Sequence, residues 1–448
     1  MRIGIIGLGF VGLTLAVAFA SKDYSVIGLD VDSSKVDAIR RGIPPFYEDG
    51  LENLLREVIS KGKLKVTSNY ENLRNTDIVF ITVGTPPRPD GSQDQTYLMD
   101  AIRSLARVWK DANSFKLILI KSTIVPGTSR RLTDIFSRES GLIPENDFEL
   151  VFNPEFLREG RALEDLLHPS RVVLGCFTSR GCDAAENLWR EFYRKVDIEP
   201  LVLTMKPEEA ELVKYASNAF LATRISFANT IANICEKTPG CDVVNVLEAT
   251  GLDPRIGRKY LQPGLGYGGS CLPKDVKALI QYSRKVGYEP ILLEAVDRVN
   301  ETQPYKVIEY LLKEYEELKG KIVSILGLAF KPGTSDIRGS VSIKIAEALL
   351  QYGAIVKVHD PMALDNFRKL FGDRIVYCKE IIDALRDSDA VIVATEWPEY
   401  SLIKPSLFQS LMRNPVIIDG KRIYDPDKLQ QYGVKLYAIG RSLIAKSV

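Results

Sequence analysis

A single thiol, Cys271, sits in GLGYGGSCLPKD, residues 264–275, with Lys274 and Asp275 three and four positions later and glycines at 264, 266, 268 and 269. The run that follows, with Val276, Ala278, Leu279 and Ile280, reads as a helix. A cysteine at a helix start beside a lysine is where a thiolate is favoured, because the helix dipole and the cation both stabilise the anion. A core cysteine has no need of such glycines, so Cys271 reads as a nucleophile rather than a small hydrophobe. Lys214 and Asn218, in KYASN, lie four apart and share one face of a helix. An isolated lysine there reads first as a solvated surface charge, and Asn218 on the same face shifts that little by itself.

A second chemical pattern opens the chain. Gly7-x-Gly9-x-x-Gly12 follows the apolar run RIGIIG, begins the helical run FVGLTLAVAFAS, and is answered by Asp30 at the end of the next apolar run, YSVIGLDVD. That context makes it a dinucleotide-binding turn: the glycines let a pyrophosphate approach backbone amides at a helix N-terminus. Asp30 would accept from ribose hydroxyls and repel a 2′-phosphate, so NAD is expected rather than NADP.

These residues need elements to hold them. At 448 residues the chain exceeds one hydrophobic core. Strand and helix patterns alternate through TDIVFITVGTP, FKLILIKSTIVPG, FELVFNPEF and RVVLG, as in a parallel sheet with crossover helices. From Pro207 to about Glu236 no glycine or proline interrupts a helical periodicity that opens on Pro207 and two acids. One long helix is expected there, joining domains and contributing to a subunit interface; the alternative is two core helices with a hidden break. A second strand–helix–strand unit follows at residues 321–360, and ALRDSDAVIVATEWPEY parallels NLRNTDIVFITVGTPP of the first half. Its GLAFKPG lacks the later glycines, so it would hold a nucleotide by other contacts. The expectation is an α/β protein of three parts. Residues 1–203 form a Rossmann NAD-binding domain, 204–314 a helical, dimerising region carrying Cys271, and 315–448 a Rossmann-like domain.

Composition narrows the function classes. A net charge of +1 without a basic block leaves no electrostatic footprint for nucleic acid. No apolar run approaches a membrane span, and the glycine spacing near the start argues against a signal peptide, so a cytoplasmic enzyme is expected. With His168 and His359 as the only histidines, no metal site is expected. The cysteines at 176, 182, 235, 241, 271 and 378 contain no CxxC pair. The two pairs six apart are read as reduced cytosolic thiols.

Taken together, GLGFVG, VGTPP, KSTIVPGT, NPEFLREG, KYASNAFLATRISFAN, GGSCLPKD, LGLAFKPGTSDIR and DGKR make the whole chain resemble the UDP-glucose 6-dehydrogenase branch of the nucleotide-sugar dehydrogenases. The resemblance implies oxidation of a sugar C6 alcohol to a carboxylate with two NAD, by way of a thiohemiacetal and a thioester on Cys271. It gives Lys214 and Asn218 as oxyanion donors, Asp275 and Thr123 as groups that hold or activate water, and Glu155 as base for thioester hydrolysis. To Gly7, Gly9, Gly12 and Asp30 it adds Phe10, Val11, Lys35, Thr85, Thr123, Glu159, Lys274 and Arg338 around NAD. Substrate contacts implied by it are Glu155, Phe156, Leu157, Arg158, Glu159, Tyr260, Leu261, Gln262, Pro263, Gly264, Gly268, Phe330 and Lys331, with Lys214, Asn218 and Cys271. Arg255, reaching across a dimer, and Arg422 are implied partners of the diphosphate or sugar.

The sugar stays open at this point. Leu272 stands where many UDP-glucose enzymes of the family carry Phe and where GDP-mannose enzymes show Leu; GYGGS and FLATRIS favour UDP-glucose. More distant alternatives are a two-electron β-hydroxyacid dehydrogenase, which needs the lysine but no thiol, and a nucleotide-sugar sensor without turnover.

Overall fold

The computed structural model describes residues 1–442, and the chain divides into two compact units, residues 1–217 and 218–448. The first unit is built on eight strands: β1 (Arg2–Ile6), β2 (Ser25–Leu29), β3 (Leu64–Thr67), β4 (Ile78–Ile81), β5 (Lys116–Ile120), β6 (Phe148–Phe152), β7 (Val172–Gly175) and β8 (Val202–Met205), in the order β3-β2-β1-β4-β5-β6-β7-β8. All pairings are parallel except β6 with β7, which meet antiparallel through the single pair Phe152 and Gly175. Strand β5 shows why the sheet must be covered on both faces. Leu117 and Leu119 pack with Phe19, Trp189 and Phe192 on one side, while Ile118 and Ile120 pack with Leu105, Trp109 and Phe136 on the other.

The second unit holds β9 (Ile322–Leu326), β10 (Ile355–His359), β11 (Val376–Tyr377), β12 (Ala390–Val393), β13 (Val416–Asp419) and β14 (Lys435–Ala438), all parallel, in the order β11-β10-β9-β12-β13-β14. This repeats the order of the first six strands of the other unit, as the internal repeat implied. The repeat extends to single contacts. Asp77 accepts from Arg2 N, and Asp389 from Ile322 N, each at 2.8 Å, so the aspartate before the apolar run in both halves ties the start of the central strand. Gly7 and Gly327 hold φ of 93° and 95°, and their amides reach the last residue of β2 and of β10 respectively.

The helix expected from residue 207 spans Pro207–Cys235, 29 residues without interruption, with Glu208 and Glu209 in its first turn. It carries the end of the first unit and the start of the second. Four further helices of the second unit follow before β9: Val243–Gly251, Leu272–Lys285, Ile291–Thr302 and Lys306–Glu314. No helix among the described residues is long and apolar enough to cross a membrane.

One expectation is corrected. Cys176 is joined to Cys182, and Cys235 to Cys241, with Cα atoms 5.5 and 5.2 Å apart. Spacing alone could not show this, because bridging depends on the chain turning back on itself. Cys176 ends the exit from β7 and Cys182 begins the next helix, while a turn at Pro239 and Gly240, φ 74°, returns Cys241 to the end of the long helix. Disulfides inside the cell are a feature of hyperthermophiles.

Candidate active site

In the first unit the glycine turn has the shape a pyrophosphate requires. A Cβ on Gly9 would meet nothing within 4 Å, so open space lies over the turn. One on Gly12 would stand 1.9 Å from Gly7 O, which fixes the close helix–strand packing. The helix Phe10–Ser21 begins without a side-chain cap, leaving its first amides for an anion. Asp30, buried at the end of β2, accepts from Leu8 N at 2.8 Å and Lys35 Nζ at 2.9 Å on one oxygen and from Asp32 N at 3.0 Å on the other. These residues fit NAD. The equivalent Asp360 of the second unit does not offer the same: its oxygens accept from Leu328 N, Ala329 N, Met362 N, Ala363 N and Trp397 Nε1.

Thr85, Thr123 and Glu155, expected at the site, follow the C-terminal ends of β4, β5 and β6. Lys214 Nζ donates to the Glu155 carbonyl at 2.7 Å and to its Oε1 at 2.8 Å, while Glu155 Oε2 accepts from Leu157 N at 2.6 Å. Both side chains are under a tenth exposed. Burial works against the Glu155 charge and the Lys214 ammonium outweighs it, so this carboxyl is held below the ordinary carboxylate range. Phe156 is covered by Arg171, 4.0 Å from the ring centre, and Arg158 pairs with Asp165. Thr85 Oγ1 and Gln93 Nε2 both donate to the Thr123 carbonyl, which fixes that segment. Glu211, one turn before Tyr215 on the long helix, accepts from Gly127 N and Ser129 N and so ties KSTIVPGT to the helix that carries Lys214.

In the second unit, Cys271 is the N-cap of the helix Leu272–Lys285, exposed, with no side-chain cap on that helix. Asp275, fully buried in the first turn, accepts from Asn218 Nδ2 on one oxygen and from Lys274 Nζ on the other. The glycines around the thiol serve a purpose the sequence did not disclose: they bring the loop against the chain itself. A Cβ on Gly268 would lie 2.3 Å from Gly339 O, and one on Gly269 2.8 Å from the Phe330 ring. Gly269 N donates to the Arg338 carbonyl at 2.9 Å. The loop is also bracketed by buried carboxamides. Gly264 N donates to Asn229 Oδ1, Gln303 Nε2 to the Gly264 carbonyl, and Asn300 bonds both N and O of Tyr267.

Other expected residues are placed as follows. Tyr260 has φ 62° and is exposed, Leu261 and Gly264 are buried, Gln262 is exposed, and Pro263 and Lys331 are half-buried. Arg255 is exposed and pairs with Asp253; Arg338 pairs with Asp336. Arg422, φ 57°, makes an ion pair with Asp242, which caps the helix Val243–Gly251, and donates to the Ile439 carbonyl. Those contacts give it a structural task within its own unit.

Sequence reasoning missed several residues. Glu48 accepts from Gly160 N and Leu163 N and so holds the end of NPEFLREG. Lys121, inside the quoted KSTIVPGT, is buried with Nζ on Asn153 Oδ1 at 3.1 Å and on the Asn153 carbonyl at 3.3 Å. A lysine directly after the apolar run Leu117–Ile120 was the available signal.

Three family models cover most of the chain: the NAD-binding, central and UDP-binding domains of the UDP-glucose/GDP-mannose dehydrogenase family match residues 1–193, 208–302 and 324–426. The chain belongs to the UDP-glucose/GDP-mannose dehydrogenase family. It is an NAD-dependent oxidoreductase of the nucleotide-sugar class. Its relatives in this dehydrogenase family include the UDP-glucose 6-dehydrogenase AglM of Haloferax volcanii, 42% identical over 94% of this chain and 97% of that protein. The UDP-glucose 6-dehydrogenase TuaD of Bacillus subtilis is 38% identical over 99% of this chain and 94% of that one. A solved UDP-glucose dehydrogenase from the hyperthermophilic archaeon Pyrobaculum islandicum superposes with a TM-score of 0.90, at 40% identity and 98% coverage of both chains.

Proposed function

We propose that the chain oxidises UDP-glucose to UDP-glucuronate, a four-electron reaction that passes through a thioester on Cys271. The observation that carries this reading is the exposed thiol at an uncapped helix N-terminus, with a buried Asp275–Asn218 hydrogen bond one turn into that helix. The substrate follows from the full-length relatives that carry that name.

NAD, when bound, supplies the hydride acceptor for both oxidations. The chain's own groups supply the rest. An aldehyde gives up hydride poorly until a nucleophile adds, and the Cys271 thiolate, favoured at the helix N-terminus, is that nucleophile. Its addition makes a hemithioacetal oxyanion; loss of hydride from that carbon leaves the thioester, and water then expels the thiolate as the acid forms. Lys214 and Asn218, one helical turn apart, are the donors for the developing oxyanion. An amide nitrogen has two hydrogens, and Asp275 takes one of them, orienting Asn218. Glu155 removes a proton from the hydrolytic water, and Thr123 and Asp275 hold water. Residues 1–203 serve NAD, 204–314 carry the thiol and offer the backbone of 260–264 to the nucleotide sugar, and 315–448 offer Phe330 and Lys331.

The enzyme is a homodimer in this reading. Phe220, Phe227 and Ile234 recur every seven residues on the long helix and are 62%, 49% and 57% exposed, a stripe suited to a second copy of the same helix. A solution mass of twice 50.1 kDa is expected, and a stable active monomer contradicts it. The enzyme works in the cytoplasm, where NAD and nucleotide sugars are made, and its disulfides suit the cytosol of a hyperthermophile.

The test is a panel of UDP-glucose and GDP-mannose with NADH counted per sugar consumed. Two NADH per UDP-glucose, and a higher kcat/KM for UDP-glucose than for GDP-mannose, are expected. One NADH per sugar returns the reading to the two-electron class, and no NADH at all to a binding protein.

A further inference from the structure

The proposed reaction poses a difficulty for Glu155. A base must hold protons readily, yet Lys214 keeps this carboxyl below its ordinary range. Lys121, while charged, adds to that difficulty. It directly follows β5, is 5% exposed, and reaches across to the residue that directly follows β6, bonding both oxygens of Asn153 two positions before Glu155. Asn153 does not need it. Trp189 Nε1 donates to Asn153 Oδ1 at 3.0 Å, and Asn153 Nδ2 donates to the Val173 carbonyl at 2.9 Å, so the amide stays satisfied without a lysine. Its own ammonium lies 5.0 Å from the centre of the Trp189 ring, in an apolar wall. Burying an ammonium for the sake of an already satisfied neutral amide is costly, and a methionine would fill the space more cheaply.

We propose that Lys121 is a positioning residue for Glu155: bonded to both oxygens of Asn153, two positions before Glu155, it places a buried positive charge that sets how strongly Glu155 binds a proton. This rests on the reading of Glu155 as base for thioester hydrolysis. The charged groups that face Lys121 are Glu155, from the loop after β6, and Lys214, from the long helix. Burial drives its ammonium down to about 7; Lys214 pushes the same way and Glu155 opposes. Below that pH two ammonium groups stabilise the carboxylate, which is then a weak base. Above it Lys121 is neutral, Glu155 binds protons more strongly, and hydrolysis speeds up. The titration therefore belongs to the lysine and is read at the carboxylate.

The experiment follows thioester hydrolysis on Cys271 in single turnover across neutral pH, in the full-length enzyme, for wild type, Lys121→Met and Lys121→Arg. NAD and UDP-glucose dissociation constants serve as the control for folding. In wild type the hydrolytic rate rises through an inflection near pH 7, the value at which Lys121 loses its charge. Lys121→Met, always neutral, loses the inflection and stays within about 3-fold of the wild-type high-pH rate. Lys121→Arg, always charged, also loses it but stays about 10-fold lower, near the wild-type low-pH rate. An inflection that survives in both variants overturns the proposal, as do equal rates for the two. If neither variant folds, the wild-type profile still decides: a hydrolytic phase without an inflection near neutrality refutes it. A wild type that never forms the thioester removes the underlying reading as well, and that outcome is distinct from a thioester hydrolysed without regard to Lys121.

Discussion

Cys271→Ala stops release of the sugar acid, lowering turnover by at least about 1,000-fold, while NAD and UDP-glucose still bind within a few-fold of wild type. The separation follows from where the residue sits. Its side chain is exposed at a helix N-cap, and the loop around it is held by backbone and carboxamide contacts that do not involve sulfur. Removing the thiol therefore deletes a reacting atom and leaves its support standing. The measurement is NADH production together with mass spectrometry of the intact chain. Wild type quenched during turnover carries an acyl mass on the tryptic peptide containing Cys271, and the alanine variant carries none. Uronic acid formed at the wild-type rate by Cys271→Ala would defeat the thioester route.

Lys214→Met is the second large effect, and it acts on stability as well as rate. The oxyanion loses a charged donor, which costs about 100- to 1,000-fold in kcat. The buried carboxylate of Glu155 also loses its partner, which costs about 3–5 kcal/mol at neutral pH. The sign of the pH dependence separates the two states. In wild type the folded Glu155 carboxyl is depressed, so its contribution is present above the unfolded value of about 4.3 and is lost as pH falls through the folded value. Without Lys214, burial prevails and raises the folded carboxyl above the unfolded one. The penalty then grows as pH rises above about 4.3 and fades on acidification. Thermal melts of both proteins at acid and neutral pH are expected to converge at the acid end and diverge at the neutral end. Parallel offsets at every pH would show that Glu155 does not depend on Lys214.

Much of this could be read before any coordinates. The glycine turn and Asp30 were legible because backbone geometry and phosphate chemistry restrict the residues at those positions, and the long helix because nothing in residues 207–235 breaks it. The repeat was legible down to Asp77 and Asp389, whose shared contact with the central strand explains why both halves keep the residue. What escaped was set by distant pairing. Lys121 acquires its role from the adjacency of β5 and β6, which joins residues about thirty positions apart. The antiparallel step from β6 to β7 rests on one residue pair, too brief for any periodicity to betray. The disulfides depend on tight returns of the chain, and the Arg422–Asp242 ion pair joins residues 180 positions apart.

The interlock of Gly268 and Gly269 with Phe330, Arg338 and Gly339 bears on inheritance and engineering. Two stretches some sixty to seventy positions apart are fitted main chain to main chain, with no room for a methyl group on either glycine. Neither can be exchanged for a homologous stretch of different contour without the other. A chimaera that swaps the last third of the chain at residue 315 cuts through this joint, whereas one that swaps everything from the thiol loop onward transplants it whole. Recombination within the family should therefore respect a seam ahead of residue 264, and changes in residues 330–339 should be matched by changes beside the thiol.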